Sequence, residues 1–264
     1  MKAGPPAVAA VPAAVRALAG DQPVRPVWRN ELGGLTFALG HQADRYLKWT
    51  PAASGIDLGR EAARLRWAAP YLPVPELLDS GSDESGSWLI TGALAGRNAV
   101  EPRWLAAPAI AARALGSGLR ALHDALPVER CPFSWAAEDR IAAVMRRAER
   151  GLLDPAEWHD EHAGQPVPRS LARLADPPPA EKLVVCHGDP CAPNTLLDDS
   201  GRVAGFVDLG SLGVADRWAD LAVGSWSLGW NYGPGYEASY FQAYGVDPDS
   251  ERIDYYRLLW DLAE

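Results

Sequence analysis

Residues 183–210 read LVVCHGDPCAPNTLLDDSGRVAGFVDLG, a stretch that combines apolar runs with a few polar side chains. Each polar group follows one of two valine-containing runs that are short enough to be β-strands, 183–186 and 203–207. Asp189 and Asn194 come after the first run, and Asp208 comes directly after the second. Taken singly, these residues could be turn or capping residues. Their spacing, with a strand before each group, predicts instead that two acids and an amide act together.

The order and spacing of these three residues match the catalytic loop of kinases. In that loop an aspartate orients the hydroxyl nucleophile, while an asparagine and a second aspartate hold Mg²⁺ on the nucleotide phosphates. Phosphoryl transfer requires in-line placement of a weak nucleophile and neutralisation of phosphate charge, and oxygen ligands around a hard cation serve both needs. We therefore predict Asp189 as the catalytic residue, Asn194 and Asp208 as Mg²⁺ ligands, and ATP as the phosphoryl donor.

A kinase active site also requires a lysine on an early strand and a carboxylate on the following helix. We predict that Lys48 binds the α- and β-phosphates and that Glu61 orients it, although each could instead be a solvated surface residue. Gly33 and Gly34 predict a loop over the phosphates, and the alternative interpretation is a plain hairpin turn. The chain has no Gly-x-x-x-x-Gly-Lys-Ser/Thr loop, which excludes a P-loop nucleotide site.

The two halves of the chain have different secondary-structure patterns. The first half predicts a small antiparallel sheet with one helix, whereas long Ala-, Leu- and Arg-rich segments predict a mainly helical second half. A flexible connection, 92–96, follows the last predicted strand of the sheet. Sheet strands are predicted at 24–28, 35–39, 45–49 and 88–91, the first helix at 57–72, and later helices at 108–126, 140–153 and 250–262. The pattern predicts an α+β protein.

Composition and charge restrict the partners of the chain. With a formal net charge of −9 and a pI near 5.1, its surface repels nucleic acid and anionic lipid and attracts cationic ligands. Cys131, Cys186 and Cys191 fit neither a zinc site nor a disulfide framework, which indicates a reducing compartment. Prolines interrupt the Ala-rich start, so no signal peptide is expected, and no apolar run could span a bilayer. We expect a cytoplasmic monomer or weak homodimer without nucleic-acid or membrane partners.

Several motifs resemble aminoglycoside phosphotransferases, in particular the aminoglycoside 3′-phosphotransferase branch. The resemblance covers most of the chain and is carried by Glu61-Ala-Ala-Arg-Leu65, Leu122-His123, Cys131-Pro132-Phe133, Asp160-Glu161-His162, Val185-Cys-His-Gly-Asp189 and Phe206-Val-Asp-Leu-Gly-Ser-Leu-Gly-Val-Ala-Asp-Arg217. It implies a protein-kinase-like two-lobed fold, with a nucleotide-binding lobe at 1–95 and a catalytic and substrate-binding lobe at 96–264. It also implies that Thr91 and Ala93 contact the adenine, and it gives the catalytic, metal-binding and phosphate-binding residues the roles predicted above.

The resemblance further implies a small cationic substrate, an aminoglycoside that is phosphorylated at a 3′-hydroxyl. In this family an acidic loop and acidic C-terminal residues bind the ammonium groups of the drug, and carboxylates around a pocket favour a polycation. The corresponding residues here are Glu157, Asp160, Glu161 and Asp261. Glu157 has a second interpretation, because Asp154-Pro155-Ala156-Glu157 is also typical of a capped helix start.

Three positions depart from the family pattern. Ser211, Trp226 and Ser227 stand where family members tend to carry Arg, Arg and Asp. This departure favours an alternative function, a metabolic kinase of another amino sugar or amino alcohol, and a nucleotide-binding pseudokinase is a further alternative. The aromatic residues near these positions could form a wall for a sugar ring, but in a helical lobe they more often belong to the core. These are Trp218, Trp226, Trp230, Tyr232 and Tyr236. His123 is predicted to be a packed structural histidine.

Overall fold

The computed structural model describes residues 11–30 and 33–263. Within these ranges the chain forms two compact units. The first unit contains the residues up to Ala95 and the segment Phe206–Gly210, and the second contains Gly96–Gly205 and the residues from Ser211 onward. The first unit is therefore built from two segments that are separate in the sequence. Across these described ranges, every helix is too short or too polar to cross a membrane.

The first unit is built on a five-stranded antiparallel sheet. The strands are Val24–Arg29 (β1), Leu35–Leu39 (β2), Arg45–Pro51 (β3), Leu77–Asp83 (β4) and Gly86–Gly92 (β5). They lie in the order β1-β2-β3-β5-β4. Phe37 and Leu39 alternate along β2 and are buried with Leu47 against a short helix, Ala13–Ala19 (α1). The sequence patterns above do not predict β4 or α1.

A single longer helix of the first unit, Gly59–Ala68 (α2), carries Glu61 in its first turn. The Asp57 carboxylate accepts the N–H of Gly59 at 2.8 Å, so it satisfies one of the free amides at the helix start. Apolar residues at helical spacing, Ala62 and Leu65, are buried. The helix packs against β4 and β5. It ends earlier than the predicted span 57–72, because Pro70 has no N–H to continue the helical hydrogen bonds.

The second unit is mainly helical. Its helices are Pro102–Leu105 (α3), Pro108–Ala125 (α4), Ala137–Glu149 (α5), Val167–Leu174 (α6), Trp218–Tyr232 (α7), Glu237–Tyr244 (α8) and Ser250–Ala263 (α9). Helix α4 packs on α8, and α7 packs on α9. Trp218, Tyr240 and Leu258 lie in the core between these helices and are almost completely buried.

The second unit also contains short strands, two of which flank the polar segment 187–194. They are Arg97–Asn98 (β6), Leu183–Cys186 (β7), Thr195–Leu197 (β8), Val203–Phe206 (β9) and Gly213–Asp216 (β10). Strand β7 pairs antiparallel with β10, and β6, β8 and β9 form a second small sheet. Residues 187–194 therefore connect two strands that are each fixed by a neighbour.

Candidate active site

Lys48, Glu61 and Asp208 form a cluster of ion pairs in the first unit. Lys48 Nζ lies 2.8 and 3.0 Å from the two carboxylate oxygens of Glu61 and 3.0 Å from Asp208 Oδ1. The Glu61 side chain is 6% exposed, whereas that of Asp208 is 51% exposed. Strand β3 supplies the lysine, helix α2 the glutamate, and the segment Phe206–Gly210 the aspartate. Three parts of the chain that are distant in sequence thus meet at one ammonium group.

The charge state of Lys48 follows from its surroundings. Burial alone would lower the pKa of the ammonium group, because a charge is less stable away from water. The negative charges of Asp208 and Glu61 outweigh burial and raise the pKa of Lys48 above its ordinary value. Lys48 is therefore a cation throughout the neutral pH range, as the binding of phosphate oxygens requires.

Asp208 has a backbone conformation that is uncommon for a residue with a Cβ atom. Its φ angle is 64°, in the left-handed region. The neighbouring Leu209 side chain is 0% exposed, and the Phe206 N–H donates to the Pro73 carbonyl at 3.3 Å. The segment is therefore anchored on both sides of Asp208, which can hold the carboxylate in this conformation. Such backbone outliers cluster at functional sites.

Asp189 and Asn194 lie together in the second unit. Asn194 Nδ2 donates to Asp189 Oδ2 at 2.9 Å and to the Asp189 carbonyl at 3.0 Å. Because its amide nitrogen is engaged in this way, the oxygen of the Asn194 amide is the atom left for a cation. Amide and carboxylate oxygens are the ligands that Mg²⁺ prefers. The Asn194 amide and the Asp208 carboxylate are thus each of a ligand type that suits magnesium, and their binding of one shared ion stays a prediction.

A buried carboxylate on α7, Asp220, supports the loop that carries Asp189. Its oxygens accept the N–H of His187 at 2.6 Å and the N–H of Gly188 at 2.9 Å. His123 Nε2 lies 3.0 Å from the same carboxylate, which is 0% exposed. Reasoning from the sequence did not identify Asp220. The available signal was a single acid among apolar neighbours in the run 218–223.

His123 is the packed structural histidine that the sequence predicts. It is 5% exposed, and its Nδ1 contacts the Tyr244 hydroxyl at 2.8 Å. His123, Cys186 and Asp220 hold potential metal-ligand atoms within 4.8 Å of one another. Burial raises the pKa of the Cys186 thiol well above its ordinary value, which disfavours the thiolate that a metal requires. We therefore interpret this group as a hydrogen-bonded support for the loop.

Gly188 is required by the backbone geometry of the loop. Its φ angle is +87°, and a Cβ atom at this position would lie 2.3 Å from the carbonyl oxygen of Ser211. Any other residue would clash there and would also be strained. The glycine of the His-Gly-Asp motif thus permits a close approach of two backbone segments.

Asn30 closes the turn between β1 and β2, where Gly33 and Gly34 were predicted to cover the phosphates. Its Oδ1 accepts the Gly34 N–H at 2.7 Å, and its own N–H donates to the Gly34 carbonyl at 2.9 Å. Gly33 has a φ angle of +85°, and a Cβ atom on Gly34 would lie 2.6 Å from the Asn30 side chain. Turn geometry accounts for both glycines, as in the hairpin interpretation. Phosphate contact stays a prediction, and Glu31 and Leu32 of this loop lie outside the described residues.

Thr91 and Ala93, the predicted adenine contacts, lie at the end of the sheet. Thr91 is part of β5 and pairs with Tyr46 and Leu77. The N–H of Ala93 donates to the Asp44 carbonyl at 2.9 Å. To bind adenine, Ala93 would therefore use its carbonyl oxygen, or its N–H would have to leave the Asp44 carbonyl. The adenine-binding roles of Thr91 and Ala93 stay predictions.

The model of a phosphotransferase enzyme family matches residues 25–256. The chain belongs to this family. The phosphotransferase is 38% identical over 231 residues to an aminoglycoside 3′-phosphotransferase of Streptomyces fradiae, which covers 83% of this chain and 85% of the relative. It is 35% identical over 243 residues to an aminoglycoside 3′-phosphotransferase of Streptomyces ribosidificus, with 87% and 91% covered. An aminoglycoside phosphotransferase of Streptomyces rimosus, solved in complex with ADP and streptomycin, matches with a TM-score of 0.78 and 30% identity over 95% of this chain and 96% of that one.

These comparisons confirm the resemblance that the sequence motifs indicated. They also confirm the predicted α+β, protein-kinase-like fold and the prediction that the chain is a kinase-type phosphotransferase. The division into lobes at 1–95 and 96–264, with its assignment of nucleotide and substrate binding, stays a prediction, as do the roles of individual residues.

Three of the predicted substrate residues of the phosphotransferase lie in the connection between α5 and α6. Glu157, Asp160 and Glu161 are all exposed. Glu161 is paired with Arg257 of α9 at 3.1 Å. Glu157 and Asp160 have no ion pair with another residue of the described part of the chain. They are therefore open to a cation, whereas Glu161 is partly neutralised by its arginine.

Asp261, the fourth predicted substrate residue, has a different environment. Its side chain is 2% exposed, and its two oxygens contact His159 and His162 of the same connection. Direct contact of Asp261 with a substrate stays a prediction, while the structure gives both of its oxygens protein partners.

The departure positions on α7 are mostly part of the protein interior. Trp226 is 6% exposed and Ser227 is 0% exposed. Ser227 Oγ accepts the N–H of Ala192 at 2.9 Å, so it fixes the loop that continues from Asp189. The buried tryptophans agree with the core interpretation. Trp230 is the exposed member of the predicted aromatic set, with 37% of its surface accessible.

Proposed function

We propose that this phosphotransferase transfers the γ-phosphoryl group of ATP to a hydroxyl of an aminoglycoside, and that the hydroxyl is the 3′-hydroxyl. One observation carries the proposal: two relatives named aminoglycoside 3′-phosphotransferases match more than four fifths of the chain at 35–38% identity. The Streptomyces rimosus structure holds ADP and streptomycin, which supports a nucleotide as the donor and an aminoglycoside as the acceptor.

Asp189 is the proposed catalytic residue at the acceptor end. Its carboxylate, held by Asn194 at 2.9 Å, accepts the hydrogen bond of the substrate hydroxyl and orients the hydroxyl oxygen. As that oxygen forms its bond to the γ-phosphorus, the bond from this phosphorus to the bridging oxygen breaks and ADP leaves. The hydroxyl proton passes to Asp189 and from there to solvent. Asp220 keeps the loop in place throughout, because it accepts two of its backbone N–H groups.

Lys48 is the proposed ligand of the α- and β-phosphates at the donor end. Glu61 holds the ammonium group in position from the buried side, while Asp208 contacts it from a more exposed position. Bound Mg²⁺ would neutralise phosphate charge, with the oxygens of Asn194 and Asp208 as its proposed protein ligands. The intact set of charged residues supports an active kinase over a pseudokinase.

The acceptor hydroxyl can be tested with a matched pair of drugs. Tobramycin is kanamycin B without its 3′-hydroxyl, so both carry similar ammonium groups. We expect ADP release with kanamycin B and Mg²⁺, background release with tobramycin, and a phosphate monoester on the 3′-oxygen in the phosphorus NMR spectrum of the product. Equal turnover of both drugs would contradict 3′-phosphorylation, and turnover of neither would contradict an aminoglycoside 3′-substrate.

A second candidate function is a kinase of another amino sugar or amino alcohol. The observation in its favour is that Ser211, Trp226 and Ser227 replace the charged residues that the family resemblance leads one to expect. The same ADP-release assay over streptomycin, free amino sugars and amino alcohols separates the two candidates. We propose that the enzyme acts in the cytoplasm, where ATP is available, and as a monomer or weak homodimer, which light scattering over a range of concentrations checks.

A further inference from the structure

The acidic loop, which we define as residues 154–165 between α5 and α6, has little regular secondary structure. It carries Glu157, Asp160 and Glu161. Within the loop, the N–H of His162 donates to the His159 carbonyl at 2.8 Å. A segment of this kind is expected to sample several conformations unless other parts of the protein restrain it.

Asp261 on α9 provides such a restraint. Its Oδ1 lies 2.5 Å from His159 Nδ1 and accepts the His159 N–H at 3.3 Å, and its Oδ2 is hydrogen-bonded to His162 Nδ1. Burial alone would raise the pKa of the Asp261 carboxyl, but the hydrogen bonds of the two histidines outweigh it and hold this pKa below its ordinary value. One ionised, buried carboxylate therefore binds the loop at two of its residues.

Arg257 provides a second restraint one helical turn before Asp261, on the same side of α9. Its Nη1 lies 3.1 Å from Glu161 Oε1, and its Nη2 lies 2.9 Å from Glu237 Oε1. The guanidinium group is itself held in place, because it donates to the carbonyl of Ala222 at 3.3 Å. Glu161 is thus partly neutralised and tied to the helix.

Aromatic contacts fix the orientation of the His159 ring between these restraints. The ring stacks on Trp230 with an interplanar angle of 13° and a centroid distance of 4.5 Å, and it lies 4.4 Å from the ring of Trp226. Nδ1 of His159 is therefore presented to Asp261 by a rigid ring. The departure at position 226 from the expected arginine supplies one of these two aromatic partners.

We infer that Asp261 is a positioning residue, which holds the acidic loop on α9 so that Glu157 and Asp160 are preorganised for a cationic substrate. This inference rests on the proposed function, and it replaces direct substrate contact by Asp261 with an indirect role. A loop that is fixed before binding loses less conformational entropy when the substrate arrives. Loss of the restraint should therefore weaken substrate binding without changing the chemistry at Asp189.

The test is the isosteric variant Asp261→Asn, which removes the charge and one acceptor oxygen. We expect KM for the aminoglycoside to rise about tenfold, with kcat and KM for ATP within about twofold of the parent values. Hydrogen exchange of the substrate-free enzyme should become several-fold faster in residues 154–165. Asp254→Asn, an exposed carboxylate on the same helix, is the matched control and should change neither quantity.

A pair of variants at His162 provides a second measurement that does not depend on the folding of the Asp261 variant. His162→Asn keeps an amide donor near the position of Nδ1 and should retain most of the substrate affinity, whereas His162→Leu removes the donor and should reproduce the Asp261→Asn effects. Equal effects of the two His162 variants on KM and exchange would overturn the inference.

The two readouts separate the inference from the competing possibilities. A rise in substrate KM with unchanged exchange of residues 154–165 would show direct contact of Asp261 with the substrate and overturn the positioning role. Faster exchange with an unchanged KM would overturn the link to substrate binding. Failure of the parent enzyme to phosphorylate any aminoglycoside would contradict the proposed function alone, since exchange in the substrate-free protein still shows whether Asp261 holds the loop.

Discussion

Asp189 depends on a neighbouring amide for its orientation. Asn194 contacts both its carboxylate and its backbone carbonyl, so the catalytic acid and the predicted metal ligand form one local structure. A change at either residue should therefore disturb the other, and the most informative substitutions are isosteric ones.

For Asp189→Asn we expect kcat to fall about 10²–10⁴-fold, because an amide cannot accept the hydroxyl proton. The dissociation constant of ATP should stay within about twofold, since Lys48 and its partners are unchanged. Steady-state ADP release gives the first quantity and calorimetric titration with ATP gives the second. Turnover of more than a few per cent of the parent rate would show that Asp189 does not have the assigned role.

The candidate site could be predicted from the sequence where its residues obey a fixed spacing. Asp189, Asn194 and Asp208 were predicted in this way, from the Asp-x₄-Asn spacing and the apolar run before each group, and their roles stay predictions. Asp220 and the histidine partners of Asp261 could not be, because their contacts join residues about 33 and 100 positions apart, which no local pattern encodes.

At the scale of single elements, periodicity predicted the strands and helices that have one apolar face. Strand β2 occupies the predicted residues, and β3 begins where predicted. Strand β4, with the sequence LLDSGSD, has little intrinsic β-propensity and forms because it pairs with β5. Helix α7 was not predicted individually, since every residue from Trp218 to Leu228 is buried and no polar face marks a helical period.

The contact of α7 with the catalytic loop should contribute measurably to stability. Asp220→Ala would leave the N–H groups of His187 and Gly188 without their acceptor in a buried place, so we expect the free energy of unfolding to fall by about 3 kcal/mol. Urea denaturation monitored by tryptophan fluorescence measures this free energy of unfolding. The control is Asp124→Ala, which removes an exposed pair with Arg120 and should cost about 0.5 kcal/mol or less. Similar losses in the two variants would contradict the supporting role.

The turn between β8 and β9 gives a prediction about pH. Asp198 Oδ1 accepts the Ser200 hydroxyl at 2.6 Å and the Ser200 and Arg202 N–H groups at 2.8 and 3.0 Å. Hydrogen bonding by Ser200 is the main cause that lowers the pKa of Asp198 to about 2. Because an unfolded chain has an aspartate pKa of about 3.9, this stabilisation is complete above that pH and is lost as the pH falls towards 2.

Asp198→Ala should therefore lower the urea midpoint at pH 7, and its difference from the parent protein should shrink as the pH is lowered from about 4. Denaturation curves at pH 7, 4 and 3 check this. A difference that stays constant over this range would show that the ionised carboxylate is not the stabilising species.

At the scale of the whole molecule, the net charge of −9 should affect the binding of a polycation. We expect KM for an aminoglycoside to rise several-fold between low and high salt, about 50 and 500 mM NaCl, because the Debye length falls over this range. The same change in osmolality made with sucrose should leave KM unaltered. A substrate KM that is independent of salt would indicate that surface charge has no part in recognition.

The pattern of hydrophobic residues predicted a sheet-rich first part and a helical second part, because its period changes along the chain. It could not predict that Phe206–Gly210 belongs with the first unit. That grouping depends on packing between residues far apart in sequence, such as Lys48 and Asp208, which are separated by 160 positions.

The segment Phe206–Gly210 is synthesised long after the rest of the first unit, which affects how that unit is completed during translation. A ribosome that adds 5–20 residues per second needs on the order of 10 s to extend the nascent chain from Ala95 to Phe206. During that interval the emerging N-terminal portion holds Lys48 and Glu61 but lacks its aspartate. An N-terminal fragment cut at Ala95 would have the same deficiency, so the two compact units cannot be expressed apart without separating Asp208 from the lysine that it contacts.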